Sequence, residues 1–214
     1  MLIKEFCAEN FTRIPEAIDR GANRIELCDN LAVGGTTVSY GVMAHTIPYC
    51  HSRNVPVMVM IRPRSGNFTY SDDELGMMCE DIEQACRLEA DGVVLGCLTE
   101  QNQLDERATH ALIKAASNLD IMFHMAFDQL EFGAQLSAID WLAAHHVKRI
   151  LTHGGPMNAP IDHHFDHLQR LIQYAAGRLI ILPGGGITDL NRDEIANHLK
   201  IREVHGTKIV PLPG

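Results

Sequence analysis

Two hydrophobic stretches of the 214-residue chain each place a glutamate two residues before a cysteine, EFC at residues 5–7 and ELC at residues 26–28. Side chains alternate along a β-strand, so Glu5 shares a face with Cys7, and Glu26 shares a face with Cys28. A buried carboxylate requires a cation or hydrogen-bond donors. The spacing therefore predicts two strands whose polar face combines thiols with groups able to transfer protons.

Later strands carry further polar side chains on one face. Alternation groups Met58, Met60 and Arg62; then Met122, His124, Ala126 and Asp128; and finally Glu203, His205 and Thr207. An arginine in such a group could bind an anion, and histidines or carboxylates beside it could transfer protons. The candidates for catalysis are therefore Glu26, Arg62, His124, Asp128 and His205.

The stretch PGGGITDLN at residues 183–191 reads as a strand end, a glycine-rich turn and a helix start. Backbone amides in such a turn can bind phosphate, and barrel proteins often do this after strands seven and eight. Gly184, Gly185 and Gly186 are therefore candidates for anion binding together with Arg62. The simpler interpretation is that these glycines only permit a tight turn.

A repeating unit of strand and helix must position these faces. Eight apolar runs begin near residues 2, 24, 56, 92, 120, 148, 178 and 203, with helical periodicity between them. Ser71 and Glu74 form a capping box before one helix, and another is predicted over residues 133–145. Eight strands at 22–36-residue spacing predict a single (β/α)8 TIM barrel, an α/β fold, over residues 1–214. Ligand sites of such barrels lie at the carboxyl ends of the strands, so the polar faces are predicted to line that mouth.

Composition excludes several classes of protein. The chain is 46% hydrophobic and 21% charged, which is globular composition, and its net charge of -9 without a lysine–arginine cluster argues against nucleic acid or anionic membranes as partners. No apolar run approaches the roughly 20 residues that span a bilayer, and the N-terminus does not have the pattern of a secretory signal. The six cysteines show no CxxC spacing, so reduced thiols in a cytoplasmic protein are predicted.

Each candidate residue taken alone also has a simpler interpretation. Buried free cysteines usually act as small hydrophobic side chains, and methionines often fill gaps in a core. Arg62 could form a structural ion pair with Glu5 or Glu26. So many polar groups at one mouth would nevertheless be costly without a ligand that uses them.

Seven motifs, in this order, resemble the CutC family of copper homeostasis proteins: IELCDNLAVGGTTVSYG, VMIRPRSGNFTYSDDE, ADGVVLGCLTE, FHMAFD, RILTHGG, PGGGIT and EVHGT. The resemblance covers nearly the whole chain and implies a TIM barrel, a cytoplasmic protein and a role in copper handling. It also implies that copper(I) binds to a cysteine pair, which here corresponds to Cys7 and Cys28. The chain departs from the family pattern where Met125 replaces an arginine, where His153 replaces a serine, and in its short C-terminal segment.

Two classes of function remain open. In the first, the mouth binds copper(I) through Cys7 and Cys28, with thioether sulfur from Met58 and Met60, because this ion prefers soft ligands. In the second, the protein is an enzyme acting on a small anionic or phosphorylated metabolite, and the copper role is incidental. The residues favour some ligand at this mouth, and only the resemblance points to copper.

Only seven residues follow Thr207, so the eighth helix is predicted to be truncated or absent. The outer face between the last and first strands would then carry residues such as Phe6 and Val204, alongside Leu2 and Lys4, with little chain to cover them. Pro211 and Pro213 forbid a regular helix in this tail. Because monomers seldom expose a large contiguous apolar patch, a homodimer or higher homo-oligomer is predicted, with this seam at or near the interface.

Overall fold

Eight short strands alternate with seven α-helices along the chain, which is described here from a computed structural model covering residues 1–212. Residues 213 and 214 of the predicted domain, and with them Pro213, lie outside the described residues. The strands are β1 Ile3–Glu9, β2 Arg24–Cys28, β3 Val57–Met60, β4 Gly92–Leu95, β5 Asp120–Phe123, β6 Arg149–Thr152, β7 Ile180–Pro183 and β8 Glu203–Gly206. The helices are α1 Ile14–Asp19, α2 Tyr40–His51, α3 Asp72–Arg87, α4 Glu106–Ala116, α5 Phe132–Ala144, α6 Phe165–Ala175 and α7 Arg192–Leu199.

The strands form one parallel sheet in the order β7-β6-β5-β4-β3-β2-β1-β8. Strand β7 lies beside β8, but no strand ladder joins the two within residues 1–212. Instead, a parallel bridge between Thr188 and Lys208 links the segments that follow these strands, and the Asp189 amide donates to the Lys208 carbonyl at 2.8 Å. The sheet is a nearly closed TIM barrel, which confirms the predicted fold class.

Alternation along the strands separates an outer apolar layer from the lumen, as predicted. On β3 the side chains of Val57 and Val59 pack in the layer beneath the helices, whereas Met58 and Met60 point into the lumen. The lumen cluster consists of Cys7, Cys28, Met58, Met60, Val94, Met122, Leu151 and Leu182. Both thiols of the EFC and ELC stretches therefore lie inside the barrel.

The predicted helix signals are also confirmed. The Glu74 amide donates to the Ser71 hydroxyl at 3.2 Å, and the Ser71 amide donates to the Glu74 carboxylate at 2.8 Å, which is the capping box at the start of α3. Helix α5 spans Phe132–Ala144, within one residue of the predicted range. No helix within residues 1–212 is long and apolar enough to cross a membrane.

The segment that follows β8 packs against the outer side of the barrel. No helix follows β8 among residues 207–212, as predicted, but Ile209 and Val210 are fully buried in the outer apolar layer. The Arg192 guanidinium on α7 donates to the Ile209 carbonyl and ties the tail to that helix. Phe6 and Val204 are buried, whereas Leu2 and Lys4 are half-buried, so the seam is largely covered, contrary to the expectation. A homodimer or higher oligomer stays a prediction, but an exposed apolar seam no longer supports it.

Candidate functional site

A cavity of about 470 Å³ opens at the carboxyl ends of the strands. Its walls combine apolar side chains with several of the predicted site residues. Of those, the cavity is lined by Cys7, Glu26, Met60, Arg62, His124, Gly185, Gly186, His205 and Thr207. Glu5, Cys28, Met58, Asp128 and Gly184 do not line it. The mouth therefore exists where the barrel fold predicts it, with a smaller set of residues than the alternation suggested.

Cys7, Glu26 and His205 form one buried cluster on three neighbouring strands, with Cys7 paired directly opposite Glu26. One donor atom from each of the three lies within 4.8 Å of the other two. The His205 Nε2 atom is 3.6 Å from Glu26 Oε2, and the Cys28 Sγ atom is 3.5 Å from the same oxygen. Glu26 thus stands between the two thiols and the imidazole.

The charges in this cluster are strongly coupled. Hydrogen bonding with Cys28 and the neighbouring His205 hold the pKa of Cys7 well below its usual value, although burial opposes this. Burial alone would lower the pKa of His205, but the nearby Glu26, Cys7 and Glu5 outweigh it and raise this pKa well above its usual value. Burial and the adjacent Cys7 raise the pKa of Glu26. The arrangement favours a Cys7 thiolate facing a His205 imidazolium.

Below the cluster, Glu5 is completely buried and paired with Arg24 rather than with Arg62. The His205 Nδ1 atom lies 2.8 Å from Glu5 Oε1, and Arg24 also donates to Glu203 at 2.7 Å. Burial would raise the pKa of Glu5, but the Arg24 and His205 partners lower it to about 2. The simpler interpretation, in which Arg62 pairs with Glu5 or Glu26, is therefore wrong. Arg24 is not among the predicted site residues, although it shares the strand face of Glu26.

Arg62 is 4% exposed and contributes to the cavity wall. Its guanidinium donates to the carbonyl oxygens of Val33, Gly35 and Gly66 at 2.9, 3.0 and 2.9 Å, and it stacks on the Phe68 ring with 4.9 Å to the centroid. No carboxylate within residues 1–212 lies at ion-pair distance from it, and its Nε atom has no hydrogen-bond partner there. Arg62 is therefore a buried cation held by backbone carbonyls and an aromatic ring, without a carboxylate partner among these residues.

His124 lies next to Arg62 on the cavity wall, and its ring centroid is 4.8 Å from that of Phe68. The Ala126 amide donates to Nδ1 at 3.2 Å, while the buried Nε2 atom has no partner among the described residues. Burial, together with the charge of Arg62, lowers the pKa of His124 to about 3. His124 is therefore neutral, with its proton on Nε2.

Asp128 does not belong to the mouth, contrary to the prediction. The chain turns into a short 3₁₀ helix at Met125–Gln129, which ends the strand alternation at His124 and places Ala126 in the outer core. The Asp128 carboxylate accepts hydrogen bonds from the Thr152 hydroxyl and from the His153 amide, the latter at 2.9 Å. Its role is to fix the turn that follows β6.

The three glycines after β7 behave differently from one another. The Gly184 amide donates to the Thr152 carbonyl at 3.0 Å, whereas Gly185 and Gly186 line the cavity with φ values of +81° and +75°. These positive angles favour glycine. Helix α7 begins only at Arg192, so no helix N-terminus points at this turn. The cavity residues that sequence reasoning did not find lie mostly in loops, outside any strand alternation: Leu31, Phe68, Met157, Thr188 and Lys208.

Comparisons with known proteins identify the family of this chain. The family model described as the CutC family matches residues 2–210. A family protein CutC of Enterococcus faecalis is 58% identical over 209 residues, covering 98% of this chain and all of that protein. The chain belongs to the CutC family. A human relative called copper homeostasis protein cutC homolog is 38% identical over 207 residues, covering 95% of this chain and 72% of the relative.

Solved structures agree with this assignment. A CutC structure from Streptococcus agalactiae is 45% identical, with a TM-score of 0.95, and covers 98% of this chain and all of that one. An aldolase called QR15 is 10% identical, with a TM-score of 0.68 over 95% of this chain and 89% of its own. At that identity the aldolase shows only the shared barrel.

Met125 and His153 lie at or beside the mouth. Met125 lines the cavity with a thioether. His153 is buried, and its two ring nitrogens each lie 3.0 Å from a carbonyl oxygen, that of Gly184 or that of Ala159. The contact with the Gly184 carbonyl supports the glycine turn.

The depressed pKa of Glu5 predicts a measurable loss of stability in acid. A carboxylate with a folded-state pKa of about 2 stabilises the fold fully above its unfolded-state pKa of about 4.5, and this contribution, about 3 kcal/mol, disappears as the pH falls between these values. We therefore expect the stability difference between wild type and a Glu5→Gln variant to shrink as the pH falls below 4.5. Urea unfolding at several pH values measures this, and a constant difference would contradict it.

Proposed function

We propose that this CutC protein is a cytoplasmic copper-homeostasis protein that binds copper(I) through Cys7 and Cys28. The observation that carries the proposal is the placement of both thiols around Glu26, inside the barrel and next to the cavity. Copper(I) prefers sulfur ligands, which suits two buried cysteines better than it suits any exposed carboxylate cluster. The name of the human relative, which refers to copper homeostasis, supports the same function.

The electrostatics of the two thiols fit a soft cation. The Cys7 pKa is lowered, so this sulfur is available as a thiolate, whereas hydrogen bonding with Cys7, together with burial, raises the pKa of Cys28. A bound copper(I) ion would replace the Cys28 proton and link the two sulfurs. Met60 lines the cavity and offers a thioether there, while Met58 lies deeper in the lumen and away from the cavity. His205 could add a nitrogen ligand only after losing its Nε2 proton, because the imidazolium form has no free lone pair.

Replacing Cys7 and Cys28 with serine tests this proposal. We expect the double variant to lose more copper(I) affinity than the roughly 10- to 100-fold loss that follows removal of a partner of a metal ligand. Competition with a chromophoric copper(I) chelator under anaerobic conditions measures the affinity. A matched control is Cys79→Ser with Cys86→Ser, which replaces two half-buried thiols of α3 that pack against the outer apolar layer. Unchanged affinity in the Cys7 and Cys28 variant would refute the copper site.

The size of the cavity favours a second candidate function. A volume of about 470 Å³ lies within the range of small-molecule pockets, roughly 300–1,000 Å³, and greatly exceeds the space that one metal ion needs. In this second proposal the barrel is an enzyme acting on a small anionic metabolite. Arg62 would attract the anion, and the Glu26 and His205 pair would transfer protons at the inner end of the cavity.

A further inference from the structure

We propose that the cavity binds a small organic carboxylate, whose oxygen accepts a hydrogen bond from His124 Nε2 and whose charge compensates Arg62. This inference rests on the second candidate function, because it requires that the mouth accept a small molecule. It assigns the chemical class of that molecule and the two side chains that recognise it.

The first step concerns His124. Its Nδ1 atom already accepts the Ala126 amide hydrogen at 3.2 Å, so the ring proton must be on Nε2. His124 is only 4% exposed and lines the cavity. Its Nε2–H group is buried and has no acceptor among residues 1–212. A buried donor without a partner is rare in proteins, and an acceptor oxygen supplied by a ligand would satisfy it.

The second step concerns the charge of Arg62. Backbone carbonyls and the Phe68 ring surround its guanidinium, but none of these groups carries a negative charge. Burying a cation without an anion is costly, and the cavity is the side from which an anion can arrive. Because His124 and Arg62 both pack against Phe68, one ligand group can interact with both side chains.

The third step selects a carboxylate instead of a phosphate. Lys208 also lines the cavity, but His124 and Arg62 themselves offer a phosphate dianion only one N–H group and one largely occupied guanidinium, whereas a carboxylate monoanion matches their charge and number. Five apolar side chains line the same cavity: Leu31, Met60, Phe68, Met125 and Leu151. These side chains suit the hydrocarbon part of an aliphatic or aromatic acid.

Isothermal titration of the metal-free, reduced protein with acetate, butyrate and hexanoate tests this class, with hexanol and butyl phosphate as comparison probes. We expect affinity to rise roughly fourfold for each buried methylene, and hexanoate to bind more tightly than either comparison probe. Equal binding of hexanol would mean that the cavity takes small molecules without recognising the carboxylate, which overturns this inference but leaves the second candidate function standing. Tighter binding of butyl phosphate would overturn the carboxylate assignment, and failure of every probe to bind would overturn both.

Two substitutions of His124 separate the roles of its nitrogens. His124→Asn keeps an acceptor for the Ala126 amide but removes the Nε2 donor, so hexanoate should bind at least about tenfold more weakly. His124→Gln keeps an amide donor near the Nε2 position and should retain most of the affinity. Hexanoate should also shift the Nε2 resonance of His124 in ¹⁵N-histidine spectra. Wild-type hexanoate affinity in His124→Asn would overturn the proposal.

Copper titrations keep this proposal distinct from copper binding. The His124→Asn variant should bind copper(I) like wild type, because His124 is not part of the Cys7, Glu26 and His205 cluster. Conversely, the variant with Cys7→Ser and Cys28→Ser should still bind hexanoate. Loss of hexanoate binding in that serine variant, with its fold intact, would show that the acid is held at the thiols and would overturn the assignment to Arg62 and His124.

Discussion

Replacing Arg24 with methionine is expected to lower the free energy of unfolding by about 3–5 kcal/mol, the cost of breaking a buried ion pair from one side. Arg24 is 3% exposed and donates to both Glu5 and Glu203, which are themselves buried. The substitution keeps most of the side-chain volume but leaves these two carboxylates without their shared cation. Chemical denaturation followed by circular dichroism measures the loss.

A matched control for this substitution is Arg53→Met, which breaks the exposed pair with Asp19. Exposed pairs typically contribute about 0–1 kcal/mol, so this variant should unfold almost like wild type. Adding Glu5→Leu to Arg24→Met should recover part of the lost stability, because an apolar replacement removes a buried carboxylate that retains only His205 as its partner. If Arg24→Met and Arg53→Met destabilise the protein equally, the buried network does not stabilise the barrel as we describe.

Replacing Ile209 with alanine is expected to destabilise the protein by about 2–5 kcal/mol, the usual range for a fully buried isoleucine. Ile209 is 0% exposed and belongs to the outer apolar layer. The change removes apolar contacts that this short segment makes in the layer where Phe6 and Val204 are also buried. Thermal and urea unfolding both measure this loss.

Leu190→Ala is the control for Ile209→Ala, because Leu190 is 91% exposed and its removal should change stability by no more than about 0.5 kcal/mol. Sedimentation of wild type and Ile209→Ala also tests the predicted homo-oligomer. If an oligomer forms through this part of the barrel, the substitution should weaken it. Similar stability of Ile209→Ala and Leu190→Ala would show that the tail does not cover the seam.

The regular part of the barrel could be predicted from the sequence because one rule, the alternation of side chains, governs each strand. All eight predicted strand starts lie within two residues of the observed ones, and Cys7, Glu26 and Met60 point inward as expected. Alternation fails where the backbone stops being extended. Alternation therefore predicts the wrong position for Asp128, because the chain forms a 3₁₀ helix immediately after His124.

The ion-pair partner of a buried side chain is harder to predict from the sequence than the face of the strand on which that side chain lies. Glu5 needs a cation, and the sequence analysis considers only Arg62 for this role. Alternation does not show that Arg24 lies at the same depth as Glu5, because that depth depends on the register between strands. The observed register places Glu5 beside Arg24, one layer below the mouth. Loop residues such as Phe68 and Lys208 could not be assigned to the cavity, because no periodic pattern fixes the direction of a loop side chain.

The missing ladder between β7 and β8 gives the barrel wall a built-in slit. Backbone amides along this slit are expected to exchange with deuterated water sooner than those of the fully paired strands, because only local opening is needed to expose them. Next to the slit, where the bridge between Thr188 and Lys208 joins the two segments, the cavity is lined by Gly186 and Thr188 from one segment and by Thr207 and Lys208 from the other. A ligand that contacts both segments would stabilise them against local opening and slow the exchange of these amides. The part of the barrel expected to exchange first is therefore also the part where binding in the cavity can be measured by amide exchange.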